Sequence, residues 1–436
     1  MIRRVTLFLF VLVTALAAAA TLAVAADEDY APLDRQGPPL SVPVDQLAAA
    51  YRCHGDFSSP LLPVLFVPGT SVTVDESFSW NYANAFDAEG RPYCTIQPPQ
   101  RTQADIQVAG EYVVHAIRET FAQAGRPIAV LGHSQGGMSP RWALRFWPDT
   151  RAMVEDQIGM APSNHGTFGD GCTAEEPCVE ALWQQSPGSA FLQALNSRSE
   201  TMSGIDYTVI YSESDDRVPN ESSILTTGDG DIANVSIQSI CPGTPWGNHL
   251  LVGTIDPAAY ALVHDALEHD GPADPARIDP AVCTQLVMPG VTVDLELANL
   301  VQLLLAQGLQ QVPGNPTAAP FAAAEPPLKC YVTAAGCSAT SGSDGSDGVD
   351  DDADGTGDDA EAGDDVAPDQ GDLPAPGGGD GIEVTPQAGG TDRSATTVGE
   401  DALPRTGSTT SFDAVLVGLA IVVLGAKLWS AGRLTR

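Results

Sequence analysis

The segment PIAVLGHSQGG, residues 127–137, sets Ser134 between Gly132 and Gly136 directly after the apolar run Ile128 to Leu131. A serine at a tight turn from strand to helix stands clear of a sheet, where it can attack an acyl carbon. The hydroxyl is a poor nucleophile by itself. It needs a base to take its proton and a third group to fix the tautomer of that base. Downstream lie His165, His249, His264 and His269. His264 and His269 belong to a helix-like run with Val263 and Leu267, whereas His249 sits in the loop-like PWGNHL, where an imidazole can be aimed. For the acid, Asp215 and Asp216 follow the strand-like YTVIY; Asp215 is the preferred reading and Asp216 the alternative. A developing oxyanion needs preorganised donors. The main-chain N–H after the nucleophile, that of Gln135, is one, and Thr70, beyond an earlier strand, is expected to supply the second with its hydroxyl as a further donor.

These residues need a sheet and helices to hold them. Residues 61–67 read as a buried strand ending at Pro68, Gly69 and Thr70, and residues 128–131 as the strand before the elbow. Between them, Val113, Ile117 and Phe121 share one face of a helix that starts near Asp105 and stops at Gly125. Pro140 suits a first helical turn, and Trp142, Ala143, Phe146 and Trp147 give the next helix its apolar face. Residues 153–160 and 207–211 are further strands. Strands alternating with helices predict an α/β fold with a mostly parallel central sheet and helices on both faces.

The chain has 436 residues and a formal net charge of −36, which excludes a binder of nucleic-acid backbones. Residues 1–26 combine two arginines, an apolar core and the small-residue pattern Ala23, Val24, Ala25, as expected of a secretory signal peptide. Eight cysteines in an exported chain imply four disulfides. Sequence positions suggest Cys172 with Cys178 and Cys330 with Cys337 as small loops, leaving Cys53 with Cys94 and Cys241 with Cys283 as longer staples. No CxxC or close histidine pair points to zinc. The folded domain is expected over residues 27–338, with no metal or cofactor, as a monomer.

Residues 339–402 are dominated by Asp, Gly, Ala, Ser and Pro and bury too little to fold. As a flexible coil their ends lie about 45 Å apart. Asp350, Asp352, Asp354, Gly355 and Glu361 fit the spacing of a calcium loop, but no amphipathic helix flanks them, and such a composition meets the template unaided. Weak, diffuse cation association is the expectation. Beyond this linker, over residues 403–436, come Leu403, Pro404, Arg405, Thr406 and Gly407, an apolar stretch, and a basic tail with Lys427, Arg433 and Arg436. This resembles the LPxTG sorting signal of Gram-positive wall proteins. The resemblance implies transient membrane retention, cleavage by a sortase between Thr406 and Gly407, and attachment to peptidoglycan.

Within the domain the chain resembles the family of Candida antarctica lipase B, through LPVLFVPGT, ESFSWNYANAF, VAGEYVVHAI, SQGG, WQQSPGSAFLQAL and YSESDD in that order. The resemblance implies an α/β-hydrolase fold and lipase chemistry on an ester or lipid substrate. It maps the nucleophile, acid and base onto Ser134, Asp215 and His249, and the oxyanion donors onto Thr70 and Gln135. It also supports the pairs Cys53 with Cys94, Cys241 with Cys283 and Cys330 with Cys337. Two departures stand out. His133 replaces a tryptophan that walls the alcohol pocket in the yeast lipase, so selectivity does not transfer. Cys172 and Cys178 are extra, and predict a disulfide-stiffened loop at the mouth of the site. Residues 295–312 read as a glutamine-bearing helix packed on the domain rather than a membrane span. The competing expectations are an esterase or acyltransferase on envelope lipids, and a catalytically inactive surface adhesin on the same scaffold.

Overall fold

A computed structural model describes residues 29–292 and 319–337, apart from 170, 245 and 246. The signal segment, the 295–312 run, the acidic stretch with its calcium-like pattern and the sorting motif lie outside the described residues. Among the described residues no helix is long and apolar enough to cross a membrane.

Seven strands form the main sheet: β1 (Tyr51–His54), β2 (Val64–Val67), β3 (Tyr93–Ile96), β4 (Ile128–His133), β5 (Val154–Met160), β7 (Asp206–Tyr211) and β8 (Asp231–Ser236), in the order β1-β3-β2-β4-β5-β7-β8. Only the β1 to β3 pairing is antiparallel. A separate antiparallel ribbon joins β6 (Cys178–Val179) to β9 (Phe321–Ala322). Every residue of β2 and β4 is buried, as expected where helices cover both faces. Alternation then divides the strands. Leu65, Val67 and Val130 enter one apolar cluster, and Val64, Phe66, Ala129 and Leu131 the other.

On the second face lie α1 (Val74–Phe78) and α2 (Tyr82–Glu89). On the first lies α3 (Ile106–Ala124), capped by the Asp105 carboxylate and stopped at Gly125 in the left-handed region. Its inward stripe differs from expectation at one place. Val113 and Ile117 are fully buried, but Thr120 rather than Phe121 completes the stripe, because its hydroxyl is satisfied by the Ala116 carbonyl at 2.7 Å. The elbow opens into α4 (Gln135–Met138) and then α5 (Pro140–Phe146), with Pro140 in the first turn; Trp147 lies just past its end and is buried. Three further helices matter to the site: α6 (Glu180–Gln184), α7 (His249–Val252) and α8 (Pro257–Glu268).

The strand expected over residues 61–67 is β2 and begins at Val64, and β5 begins at Val154 after a short 3-10 turn over Pro148–Met153. The cysteines pair Cys53–Cys94, Cys172–Cys178, Cys241–Cys283 and Cys330–Cys337. Cys53 and Cys94 face each other directly across the β1–β3 ladder.

Candidate active site

The elbow is built by close approach. A Cβ on Gly136 would lie 2.1 Å from the Val67 carbonyl oxygen, and one on Gly132 would lie 2.0 Å from the Gly136 oxygen. Both positions must therefore be glycine for α4 to sit against β2 and β4. Between them Ser134 adopts φ 58° and ψ −126°, a conformation an L-residue keeps only where its surroundings enforce it. Its N–H is anchored to the Met160 carbonyl at 2.9 Å, which fixes the elbow to the end of β5.

Asp215 lies beyond the end of β7. One carboxylate oxygen accepts the main-chain N–H groups of Arg217 and Val218 at 2.7 and 2.8 Å, and the other lies 2.8 Å from His249 Nδ1. Burial acts to raise its pKa. The His249 charge, the ring hydrogen bond and the two main-chain donors outweigh that, and the carboxyl is held below its ordinary value. An ionised carboxylate only accepts, so Nδ1 carries the proton and the lone pair of His249 falls on Nε2, the nitrogen a general base needs.

His249 is the first residue of the short helix α7, with Asn248 as its cap, and it is buried. This differs from the loop position expected from the sequence: the glycine-containing run ahead of it ends one residue earlier. Its ring packs against that of His133, with centroids 4.7 Å apart, and since His133 directly precedes Ser134 the imidazole stands beside the elbow. No hydrogen bond joins the Ser134 hydroxyl to the ring among the described residues. Such bonds commonly tighten only once substrate is bound.

Asp216 also reaches His249, through the main chain: its Oδ1 accepts the His249 N–H at 3.1 Å. The two adjacent aspartates thus take different parts of one residue. His264 and His269 are half exposed on and just past α8. His165 instead hydrogen-bonds Glu200 at 2.6 Å.

Thr70 and Gln135 meet on the oxyanion side. The Thr70 hydroxyl donates to the Gln135 side-chain oxygen at 2.7 Å and accepts from Gln185 Nε2 at 2.9 Å. Gln185 is itself held by the Ser163 hydroxyl at 2.8 Å. Gln135 opens α4, so its N–H has no carbonyl one turn back to bond, and it is available to a developing negative charge. Gln185 and Ser163 were not singled out from the sequence. Buried amides and hydroxyls carry no periodicity or charge, and the one pointer was the WQQSPGSAF segment.

The Cys172–Cys178 bridge leads through β6 and α6 straight to Gln185. Thr167 N–H bonds the Gln185 carbonyl at 2.9 Å and Phe168 N–H the Arg217 carbonyl at 3.0 Å. Residues 163–168 thereby span from the Thr70 side to the Asp215 turn, and Phe168 is exposed there. Among the described residues no group of acidic, histidine or cysteine side chains is arranged to hold a metal.

The parallel sheet with its strand, elbow and helix is an α/β-hydrolase fold. No protein-family model matches the chain. It is 35% identical over 214 residues to lipase B of Pseudozyma antarctica, an alignment covering 47% of this chain and 61% of that protein. It is also similar to the crystal structure of Aspergillus fumigatus lipase B, with a TM-score of 0.61 and 32% identity over 69% of this chain and 74% of that one. The chain belongs to the lipase B family.

Proposed function

We propose that this protein is a serine carboxylester hydrolase of lipase type, exported and attached to the cell wall. The observation that carries the reading is the hydrogen bond between Asp215 and His249 Nδ1, 2.8 Å long, beside a strained serine at the elbow. The family relationship supports it. In the proposed cycle the Ser134 hydroxyl oxygen attacks the ester carbonyl carbon as His249 Nε2 takes its proton. The oxyanion is met by the main-chain N–H groups of Gln135 and Thr70, since the Thr70 hydroxyl already donates to the Gln135 side chain. Collapse breaks the bond to the alcohol, which leaves with the proton from His249, and an acyl-enzyme remains. Water then gives a proton to His249 and attacks the acyl carbon. The carboxylic acid departs and the serine is restored. Asp215 stays ionised throughout and stabilises the imidazolium.

Turnover of tributyrin and of p-nitrophenyl butyrate and palmitate by the full chain tests this. Wild type should hydrolyse them, and Ser134→Ala should lose roughly 10³-fold or more in kcat. Equal, negligible turnover by both proteins would leave the inactive adhesin. A strong preference for butyrate over palmitate would favour the esterase form of the reading. The wall attachment rests on Leu403 to Gly407 and the basic tail, with the acidic stretch as a spacer. Thr406→Ala in a sortase-bearing Gram-positive host should move the protein out of the wall fraction. An unchanged wall fraction would remove this part of the reading.

A further inference from the structure

His133 has no part in the cycle above, yet it touches the residue on which the cycle turns. It is the last residue of β4, immediately before Ser134, and is 5% exposed. Its Nε2 lies 2.9 Å from the main-chain carbonyl oxygen of His249. A carbonyl only accepts, so the ring carries its proton on Nε2. The same residue's N–H is held by Asp216 at 3.1 Å. Both main-chain polar groups of His249 are thus gripped by side chains from other elements, one from the nucleophile strand and one from the acid turn. The fit around the ring is close. A Cβ on Gly253, just past α7, would lie 2.2 Å from His133 Cδ2, so the end of that helix rests directly on the imidazole.

From this geometry we propose that His133 is a positioning residue that ties the base-bearing helix to the nucleophile elbow through its bond to the His249 carbonyl. The inference rests on the hydrolase reading. The tie needs a proton on Nε2, which the neutral ring carries there in the one tautomer that fits the carbonyl. Burial, and after it the charge of His249, pushes the His133 pKa down to about 3, against the smaller pull of the carbonyl bond and of Asp215. The donor is therefore present at every pH at which an ester hydrolase of this kind works. An error of about 1 Å in placing a catalytic group costs roughly 10²-fold in rate, so this one bond between base and elbow sets kcat.

The test compares His133→Phe, which keeps a ring but has no donor, with His133→Gln, whose side-chain amide nitrogen can reach the position of Nε2. The expected result is a fall of about 10- to 50-fold in kcat for His133→Phe at a KM within about twofold of wild type, with most of the loss recovered in His133→Gln. His133→Leu supplies the same comparison should the Phe variant fail to fold. Wild-type kcat in a folded donor-free variant would overturn the inference. So would equal losses in the donor-free and Gln variants at matched folded fraction, since that marks a packing role alone. Absence of turnover in wild type sinks the hydrolase reading instead, so the two failures remain distinct.

Discussion

Two buried aspartates near opposite ends of the parallel sheet carry the same side chain in opposite states. Asp215, beyond the C-terminal end of β7, receives three hydrogen bonds and is held in its charged form. Asp156, near the start of β5, is 2% exposed, and its Oδ1 has no hydrogen-bond partner among the described residues. The register sets Asp156 beside Asp206 and Asp206 beside Asp231, a row of carboxyl groups across three strands. Burial first, then Asp206 and Glu155, pushes the Asp156 pKa up to about 8. Asp256, the cap of α8, falls between the two. One of its oxygens accepts from Ala258 and Ala259 while the other is buried without a partner. Burial outweighs those two bonds and raises its pKa to about 6. Burial alone therefore does not decide the charge of a carboxylate; the neighbouring charge and the donors aimed at it do. The end of the sheet that bears the candidate site supplies both.

The comparison can be broken first at Asp215. Asp215→Asn should keep the fold and lower kcat by roughly 10³- to 10⁴-fold, because the amide favours the wrong tautomer of His249. Steady-state kinetics beside a circular dichroism spectrum measures this, and a loss under tenfold would detach Asp215 from the base.

Asp156→Asn is expected to act on stability rather than on rate. A carboxyl whose folded pKa is raised contributes stability that is full below the unfolded value near 4 and is lost as pH rises through the folded value of about 8. Wild-type stability should decline across that window. Asp156→Asn should flatten the decline and be more stable than wild type at pH 9, by about 1–3 kcal/mol. Urea midpoints at pH 5, 7 and 9 check it; parallel curves for the two proteins would show that Asp156 ionises freely.

Asp256→Asn should have the smallest effect, under about 1 kcal/mol at pH 5, since asparagine caps helices nearly as well. By the same sign argument a small gain should appear above pH 6, readable as a rise in melting temperature between pH 5 and 8. A loss of more than about 2 kcal/mol at both pH values would mean that the carboxylate itself is required there.

Much of the fold was legible because its signals are local. The all-apolar β4, the Asp105 cap, the Gly125 stop and Pro140 in a first turn each express a constraint within a few residues. The candidate site was legible in part. Ser134 announces itself by the flanking glycines, and Asp215 by following a strand. Illegible were the helical setting of His249, the Gln185 and Ser163 support under Thr70, and the division of labour between Asp215 and Asp216. Each of those depends on partners tens to more than a hundred residues away.

The sequence by itself determined the elbow, since only glycine at 132 and 136 lets the helix after Ser134 lie against the neighbouring strands. It also determined that this serine would stand at the carboxyl end of a buried parallel strand. Tertiary structure alone decided which carboxylate reaches which atom of His249, and that His133 closes onto the carbonyl of the same residue. Hydrogen bonds demand placement to a few tenths of an ångström. That placement is set by how strands, turns and helices distant in the chain pack together, which no local run of residues encodes.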